Sequence, residues 1–305
     1  MKLLFASTKE DPERWRRLLA PALPQDRFFA WPDVNGGDID VALVATHPKG
    51  TFAQLKNLKL IQSLWMGVEN ILADTEVPRR VPLARLIDPG MVHAMAETVI
   101  ASVLDWHRLR YVYRAQQRAR AWKWQRQMLP SDRTLGLLGL GELGSYAAAK
   151  LLALGFNVCG WSRRLKAIEG VHCSTDLDEI VSRSQALVCL LPLTAQTRGL
   201  LNARAFARMP KGGCVINLAR GGQVVTADLL AALESGQLAH AYLDVFETEP
   251  LPADSPLWAH PGITITPHIA ALTEPRTAIP KIVENVERVR RGETPLNLVD
   301  REAGY

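Results

Sequence analysis

The run Leu135-Gly136-Leu137-Leu138-Gly139-Leu140-Gly141-Glu142-Leu143-Gly144 constrains this chain more than any other. An apolar strand pattern enters a G-x-G-x-x-G turn and leaves through small residues, Ala147, Ala148 and Ala149, that read as a helix. In that setting Gly139 permits the tight turn, Gly141 lets the backbone approach a pyrophosphate, and Gly144 lets the helix pack close to the sheet. Glu142 and Leu143 open the helix, whose first N–H groups and positive dipole end face the phosphates. The motif alone is weak because glycine turns are common. Its strand–turn–helix context makes it a dinucleotide site in a parallel α/β sheet.

The residues after the next strand, Asn157 to Trp161, bear on which dinucleotide fits. An NAD site places an acid there for the ribose 2′-OH. This chain has Ser162, Arg163 and Arg164, followed by Lys166. A carboxylate repels a 2′-phosphate, whereas guanidiniums clamp one through charge-assisted bonds. The reading is NADP(H) preferred with NAD(H) possible; a solvated basic turn is the plainer alternative.

A length of 305 residues suggests two domains at roughly 100–200 residues each. No apolar stretch approaches the ~20 residues that span a bilayer, so no membrane partner is expected. Met1 to Ser7 reads as a first strand rather than a leader. Cys159, Cys173, Cys189 and Cys214 lack metal-type spacing and fit reduced core residues of a cytoplasmic protein, with no metal site expected. The net charge of +5 concentrates at Arg108, Arg110, Arg114, Arg118, Arg120, Lys123 and Arg126, interleaved with Tyr111, Tyr113, Trp122 and Trp124. Without a recognised nucleic-acid motif, this segment reads as a solvated or subunit-facing helix that attracts anions.

Strands alternate with helices along the chain, the pattern of parallel α/β sheets. Strands are expected at 3–7, 41–45, 60–64 and 81–85, then near 134–140, 157–161, 186–191, 214–218, 240–245 and 263–266. Asp11-Pro12-Glu13 reads as a helix start. A long helix is expected from Glu97, another between Thr226 as cap and Gly236 as stop, and a last one from Glu274 to Arg291.

Three motifs follow the glycine turn: Ile216-Asn217-Leu218-Ala219-Arg220-Gly221-Gly222, Leu243-Asp244-Val245-Phe246-Glu247-Thr248-Glu249-Pro250, and Ile265-Thr266-Pro267-His268-Ile269-Ala270-Ala271. Each follows an expected strand, and open α/β sheets bind ligands beyond the carboxyl ends of their strands. A guanidinium suits an α-keto carboxylate because it can bond carboxylate and carbonyl oxygens together. An imidazole can deliver a proton near neutrality, and a carboxylate beside it fixes its tautomer. Singly, Arg220, Glu249 and His268 have plain readings as a surface charge, a turn acid and a strand-end cap. Their order behind a dinucleotide turn favours catalysis.

With these motifs in view, the sequence resembles the D-isomer-specific 2-hydroxyacid dehydrogenase family, and within it the glyoxylate and hydroxypyruvate reductases. The resemblance runs over nearly the whole chain. It includes Trp65-Met66-Gly67-Val68-Glu69, Asp88-Pro89-Gly90-Met91, Trp161-Ser162-Arg163, Leu191-Pro192-Leu193-Thr194 and Val299-Asp300-Arg301. It implies an α/β fold of two Rossmann-like domains: a flavodoxin-like, discontinuous substrate domain (1–98 and 272–305) and an NAD(P)-binding Rossmann domain (99–271). It implies catalytic roles for Arg220, Glu249 and His268. Met66, Gly67, Val68 and Arg220 would hold the substrate carboxylate. Besides the glycine turn, the cofactor contacts would be Ser162, Arg163, Arg164, Leu191, Pro192, Thr197, Ala219, Asp244, His268 and Ala270.

The activity implied is NADPH-dependent reduction of small 2-keto acids to D-2-hydroxy acids by a cytoplasmic homodimer, without a nucleic-acid partner. The rivals are a dinucleotide-sensing module without turnover and another D-2-hydroxyacid dehydrogenase of different substrate. Two features depart from close relatives. Ala45-Thr46-His47-Pro48 stands where they carry a tryptophan, and Pro280 is expected to kink or break the last helix.

Overall fold

Val41-Ala42-Leu43-Val44-Ala45 is buried at every position, as a strand covered on both faces must be. It is the middle strand of the first of two units in the computed structural model, which describes residues 1–305. This unit comprises Met1–Met91 and Thr273–Tyr305, and the second comprises Val92–Leu272. In the first, β1 (Lys2–Ser7), β2 (Arg27–Ala30), β3 (Val41–Ala45), β4 (Leu60–Ser63) and β5 (Leu83–Ala84) form a parallel sheet in the order β2-β1-β3-β4-β5. Helix α1 (Pro12–Ala22) starts where the sequence places it, with the Asp11 carboxylate accepting the Glu13 N–H at 3.0 Å. It buries Trp15 and Leu19, one turn apart. The short α2 (Glu69–Ala73) follows β4.

Helix α3 (Pro89–His107) carries the chain into the second unit. It begins well before Glu97, the expected start, because Asp88 caps it by accepting the Gly90 and Met91 N–H groups at 2.9 and 3.3 Å. Leu109 then turns left-handed (φ 55°), and the separate α4 (Arg110–Arg118) buries no residue. The single long helix expected here is therefore two.

The second unit holds β6 (Thr134–Leu138), α5 (Glu142–Ala153), β7 (Asn157–Trp161), β8 (Val171–Ser174), α6 (Leu177–Arg183), β9 (Ala186–Cys189) and α7 (Ala203–Arg208). β10 (Gly213–Asn217), α8 (Thr226–Glu234), β11 (Leu238–Leu243) and β12 (Ile263–Ile265) complete it. Its seven strands are parallel in the order β12-β11-β10-β9-β6-β7-β8. Strand order reverses between β6 and β9, the switch point of a doubly wound sheet. Val99, Val103 and Trp106 of α3 share one core with Leu135, Leu137, Ala147 and Leu151. Leu138, Ile180, Leu187, Phe206 and Leu229 form the other.

The chain returns to the first unit through α9 (Pro275–Arg290), capped by Glu274. Pro280 does not break it. Its ring lies on the exposed face, while Ala278, Ile279 and Ile282 hold the helix to its core. Thr226 does not cap α8: it is already helical, and Val225 precedes it with no side-chain cap. Strands β2 and β8, neither expected, lie at sheet edges and are only partly buried. The four cysteines are free thiols. No helix is long and apolar enough to cross a membrane.

Candidate active site

Every candidate site residue in the second unit lies beyond the carboxyl end of a parallel strand, or on the helix or loop that follows it. Past β6, Gly139 adopts φ 105°, and Gly141 begins α5 without a side-chain cap. A Cβ on Gly144 would stand 1.9 Å from the Gly139 carbonyl oxygen, so only glycine lets α5 start this close to the turn. A Cβ on Gly141 would meet nothing within 4 Å. An uncapped helix start with open space before it suits the pyrophosphate of a dinucleotide. Past β7, the Ser162 hydroxyl donates to the Arg164 carbonyl at 2.7 Å, and both arginines of the turn are exposed. That chemistry fits a phosphate.

Past β9, Thr197 folds the Leu191–Thr194 segment by donating to the Pro192 carbonyl at 2.7 Å and accepting the Thr194 N–H at 2.8 Å. Gln223, fully buried, binds the same segment. Its amide nitrogen reaches the Leu191 carbonyl at 2.7 Å, while its oxygen accepts the Arg220 N–H at 3.1 Å. Asn217 completes the frame, donating to the Arg220 carbonyl at 2.9 Å and accepting the Ala219 N–H at 3.2 Å. Sequence reasoning passed over both amides. The signal was a polar side chain at the end of a buried strand and another just past two glycines. Burial pushes the neighbouring Cys189 thiol up to about 12, so it stays protonated and is no nucleophile.

Arg220 leads into a tight turn whose Gly221 abuts the loop past β11. A Cβ there would stand 1.8 Å from the Phe246 carbonyl carbon. The Phe246 N–H donates to Glu249 Oε1 at 2.9 Å, and Glu249 Oε2 lies 2.7 Å from His268 Nδ1. The imidazole and carboxylate are each partly exposed, and because the contact is made by Nδ1, His268 Nε2 lies outside it. His268 itself sits at φ 56°. Asp244, buried at the end of β11, holds its loop: the carboxylate accepts the Thr266 hydroxyl at 2.6 Å and the Ile269 and Ala270 N–H groups at 2.9 Å each.

In the first unit, Met66, Gly67 and Val68 follow β4. Their N–H groups make no hydrogen bond within the chain. Trp65 anchors the start of this loop, exchanging hydrogen bonds with the Ser63 hydroxyl at 3.1 and 2.8 Å. In the loop that departs from relatives, His47 Nε2 lies 2.7 Å from the Asp74 carboxylate, and Thr46 is left-handed at φ 44°.

A doubly wound parallel sheet with a glycine turn at its switch point and an imidazole–carboxylate pair at its strand ends defines an NAD(P)-dependent oxidoreductase. Residues 100–270 match the family described as D-isomer specific 2-hydroxyacid dehydrogenase, NAD binding domain. The chain is 40% identical over 313 residues to the glyoxylate/hydroxypyruvate reductase A of Serratia proteamaculans, with both chains covered completely. A D-isomer specific 2-hydroxyacid dehydrogenase of Xanthobacter autotrophicus, solved with NADPH and MES, superposes with a TM-score of 0.95 at 42% identity, covering 100% of this chain and 99% of that one. The NADPH-dependent glyoxylate/hydroxypyruvate reductase of Sinorhizobium meliloti, solved with NADP and sulfate, gives 0.93 at 36% identity with the same coverage. This chain belongs to the D-isomer specific 2-hydroxyacid dehydrogenase family.

Proposed function

We propose that this protein reduces small 2-keto acids, glyoxylate and hydroxypyruvate among them, to D-2-hydroxy acids with NADPH. The observation that carries the reading is the 2.7 Å contact of Glu249 with His268 on a loop fixed by Asp244, at the strand ends of a dinucleotide-binding sheet. Residues 99–271 serve as the cofactor domain, and 1–98 with 272–305 as the substrate domain.

When bound, the reduced nicotinamide supplies a hydride for the keto carbon. The α5 start, with Gly139, Gly141, Glu142, Leu143 and Gly144, receives the pyrophosphate. Ser162, Arg163 and Arg164 receive the 2′-phosphate, and Leu191, Pro192, Thr197, Ala219, Asp244 and Ala270 line the rest. Arg220 bonds the carboxylate and the carbonyl oxygen and draws negative charge onto the latter. Protonated His268 gives its Nε2 proton to that oxygen, and Glu249 keeps the remaining proton on Nδ1. The Met66, Gly67 and Val68 N–H groups hold the carboxylate.

The exposed face of α4 and the 119–129 segment, where Trp122 and Trp124 are bare to solvent, is the contact we assign to a homodimer. Free cysteines fit a reducing compartment, and we place the enzyme in the cytoplasm.

The test is steady-state oxidation of NADPH and of NADH across a panel of 2-keto acids. Turnover of the two-carbon and three-carbon acids, faster with NADPH at limiting cofactor, is expected. Binding of NADPH without turnover of any keto acid overturns the proposal and leaves a dinucleotide sensor.

A further inference from the structure

Two tryptophans fifty residues apart share a single carboxylate in the first unit. Glu10 Oε2 accepts the Trp15 indole N–H at 3.1 Å, and Glu10 Oε1 accepts the Trp65 indole N–H at 3.1 Å. Trp15 is fully buried in α1, and Trp65 stands at the head of the Met66–Val68 loop. Glu10 is itself held by the Ser7 hydroxyl, which accepts its N–H at 3.0 Å past the end of β1. The Trp65 carbonyl accepts the Leu86 N–H at 3.1 Å and the Ser63 hydroxyl. Backbone bonds thus fix Trp65 from the β4 and β5 side, and Glu10 fixes its ring from the β1 side.

We propose that Glu10 is a positioning residue for substrate: by clamping the Trp65 ring it holds the Met66, Gly67 and Val68 N–H groups in register for a carboxylate. The inference rests on the reading of those three N–H groups as carboxylate donors. Only a carboxylate presents two acceptors to two indole donors from one short side chain, since a glutamine would set its NH2 against one of them. The loop carries the glycine of Met66-Gly67-Val68 and makes no hydrogen bond through those three N–H groups within the chain, so its conformation depends on its anchors. Loss of the Glu10–Trp65 bond leaves the carboxylate donors present but no longer aligned. That weakens substrate binding in ground state and transition state alike, raising KM with kcat retained.

Steady-state kinetics of Glu10→Ala, Trp65→Phe and Trp15→Phe test this, with thermal midpoints measured alongside. Trp65→Phe keeps an aromatic ring at the site but removes the indole N–H together with the fused pyrrole ring. It is expected to raise KM for the keto acid about tenfold, with kcat and KM for NADPH within about twofold of wild type. Trp15→Phe deletes the other bond and is expected to lower the midpoint while leaving KM unchanged. The Glu10→Ala/Trp65→Phe double variant is expected to show no greater KM than the worse single variant, because each single variant already removes the Glu10–Trp65 bond. An unchanged KM in Trp65→Phe, or an equal rise in Trp15→Phe, overturns the clamp while the activity stands. Absence of keto-acid turnover in the wild-type chain overturns the activity and the clamp together.

Discussion

The Asp244 carbonyl oxygen accepts the His268 N–H at 2.7 Å, and the Asp244 carboxylate takes the next two N–H groups of the same loop at 2.9 Å each. A histidine at φ 56° pays a steric penalty of about 1 kcal/mol or more and keeps that conformation only where its surroundings enforce it. Asp244 supplies the enforcement. Asp244→Asn retains one acceptor oxygen and loses at least one of these charge-assisted bonds. The expected outcome is a fall in kcat of about 10–100-fold with NADPH affinity less affected, read by steady-state kinetics and cofactor titration.

His268→Ala is expected to lower kcat by about 100–10,000-fold while NADPH still binds, since the proton donor is lost and the glycine turn is untouched. Glu249→Gln, which leaves the imidazole without its anion at 2.7 Å, is expected to fall between wild type and that variant. Pre-steady-state hydride transfer measured with excess keto acid checks both. Full activity in His268→Ala would remove it from the mechanism.

Arg163→Ala is expected to weaken NADPH about 10–100-fold and NADH by far less, because a charge-assisted phosphate bond contributes ~1.5–3 kcal/mol. Fluorescence titration with the two cofactors decides the matter. Equal losses for both would leave the turn after β7 without a 2′-phosphate role.

His240 predicts an acid-sensitive fold. It is buried on β11 between the Tyr111 and Tyr242 rings, 4.4 and 4.8 Å away, with Nε2 2.9 Å from the Thr264 hydroxyl. Burial is the main cause that lowers its pKa to about 4. Arg114 and His260 add to the shift, and Asp105 opposes it. Between the ordinary histidine value of about 6.5 and about 4, the unfolded chain binds a proton that the folded chain refuses. Stability is therefore intact above pH ~6.5 and declines as pH falls toward 4, by roughly 3 kcal/mol over the window. Thermal midpoints of wild type and His240→Gln across that range check it, and the variant is expected to show the shallower pH dependence.

Trp122→Ala with Trp124→Ala is expected to shift the protein toward monomer in light scattering, with little change in thermal midpoint at low concentration. Both rings are almost entirely exposed, so their removal leaves no cavity. A wild-type chain that is monomeric at micromolar concentration would end the dimer proposal.

Much of this architecture is legible in the linear chain because it depends on short-range chemistry. The run Val41–Ala45 is apolar at each position and becomes a strand with those bounds. Asp11-Pro12 carries its own helix cap. The turn at Gly139–Gly144 needs its glycines for reasons internal to one strand and one helix, as the 1.9 Å approach of a Gly144 Cβ to the Gly139 oxygen shows. Edge strands were harder. Arg27–Ala30 and Val171–Ser174 are short and half-exposed, and they become strands by pairing with β1 and β7. Pro280 misled in the other direction, because a proline on the exposed face of α9 costs less than its apolar neighbours recover by packing.

The order of residues along the chain determined which groups stand after each strand, and so the presence of an arginine, a glutamate and a histidine at the ends of a dinucleotide-binding sheet. Tertiary folding alone decided which of them touch. The contact of Glu249 with His268, the hold of the Gln223 amide on the Leu191 carbonyl, and the grip of Glu10 on Trp65 each join groups far apart in the chain that strand pairing and burial bring together. Hydrogen bonds act over about 3 Å, and spacing in sequence carries no information about such distances until the sheet has formed.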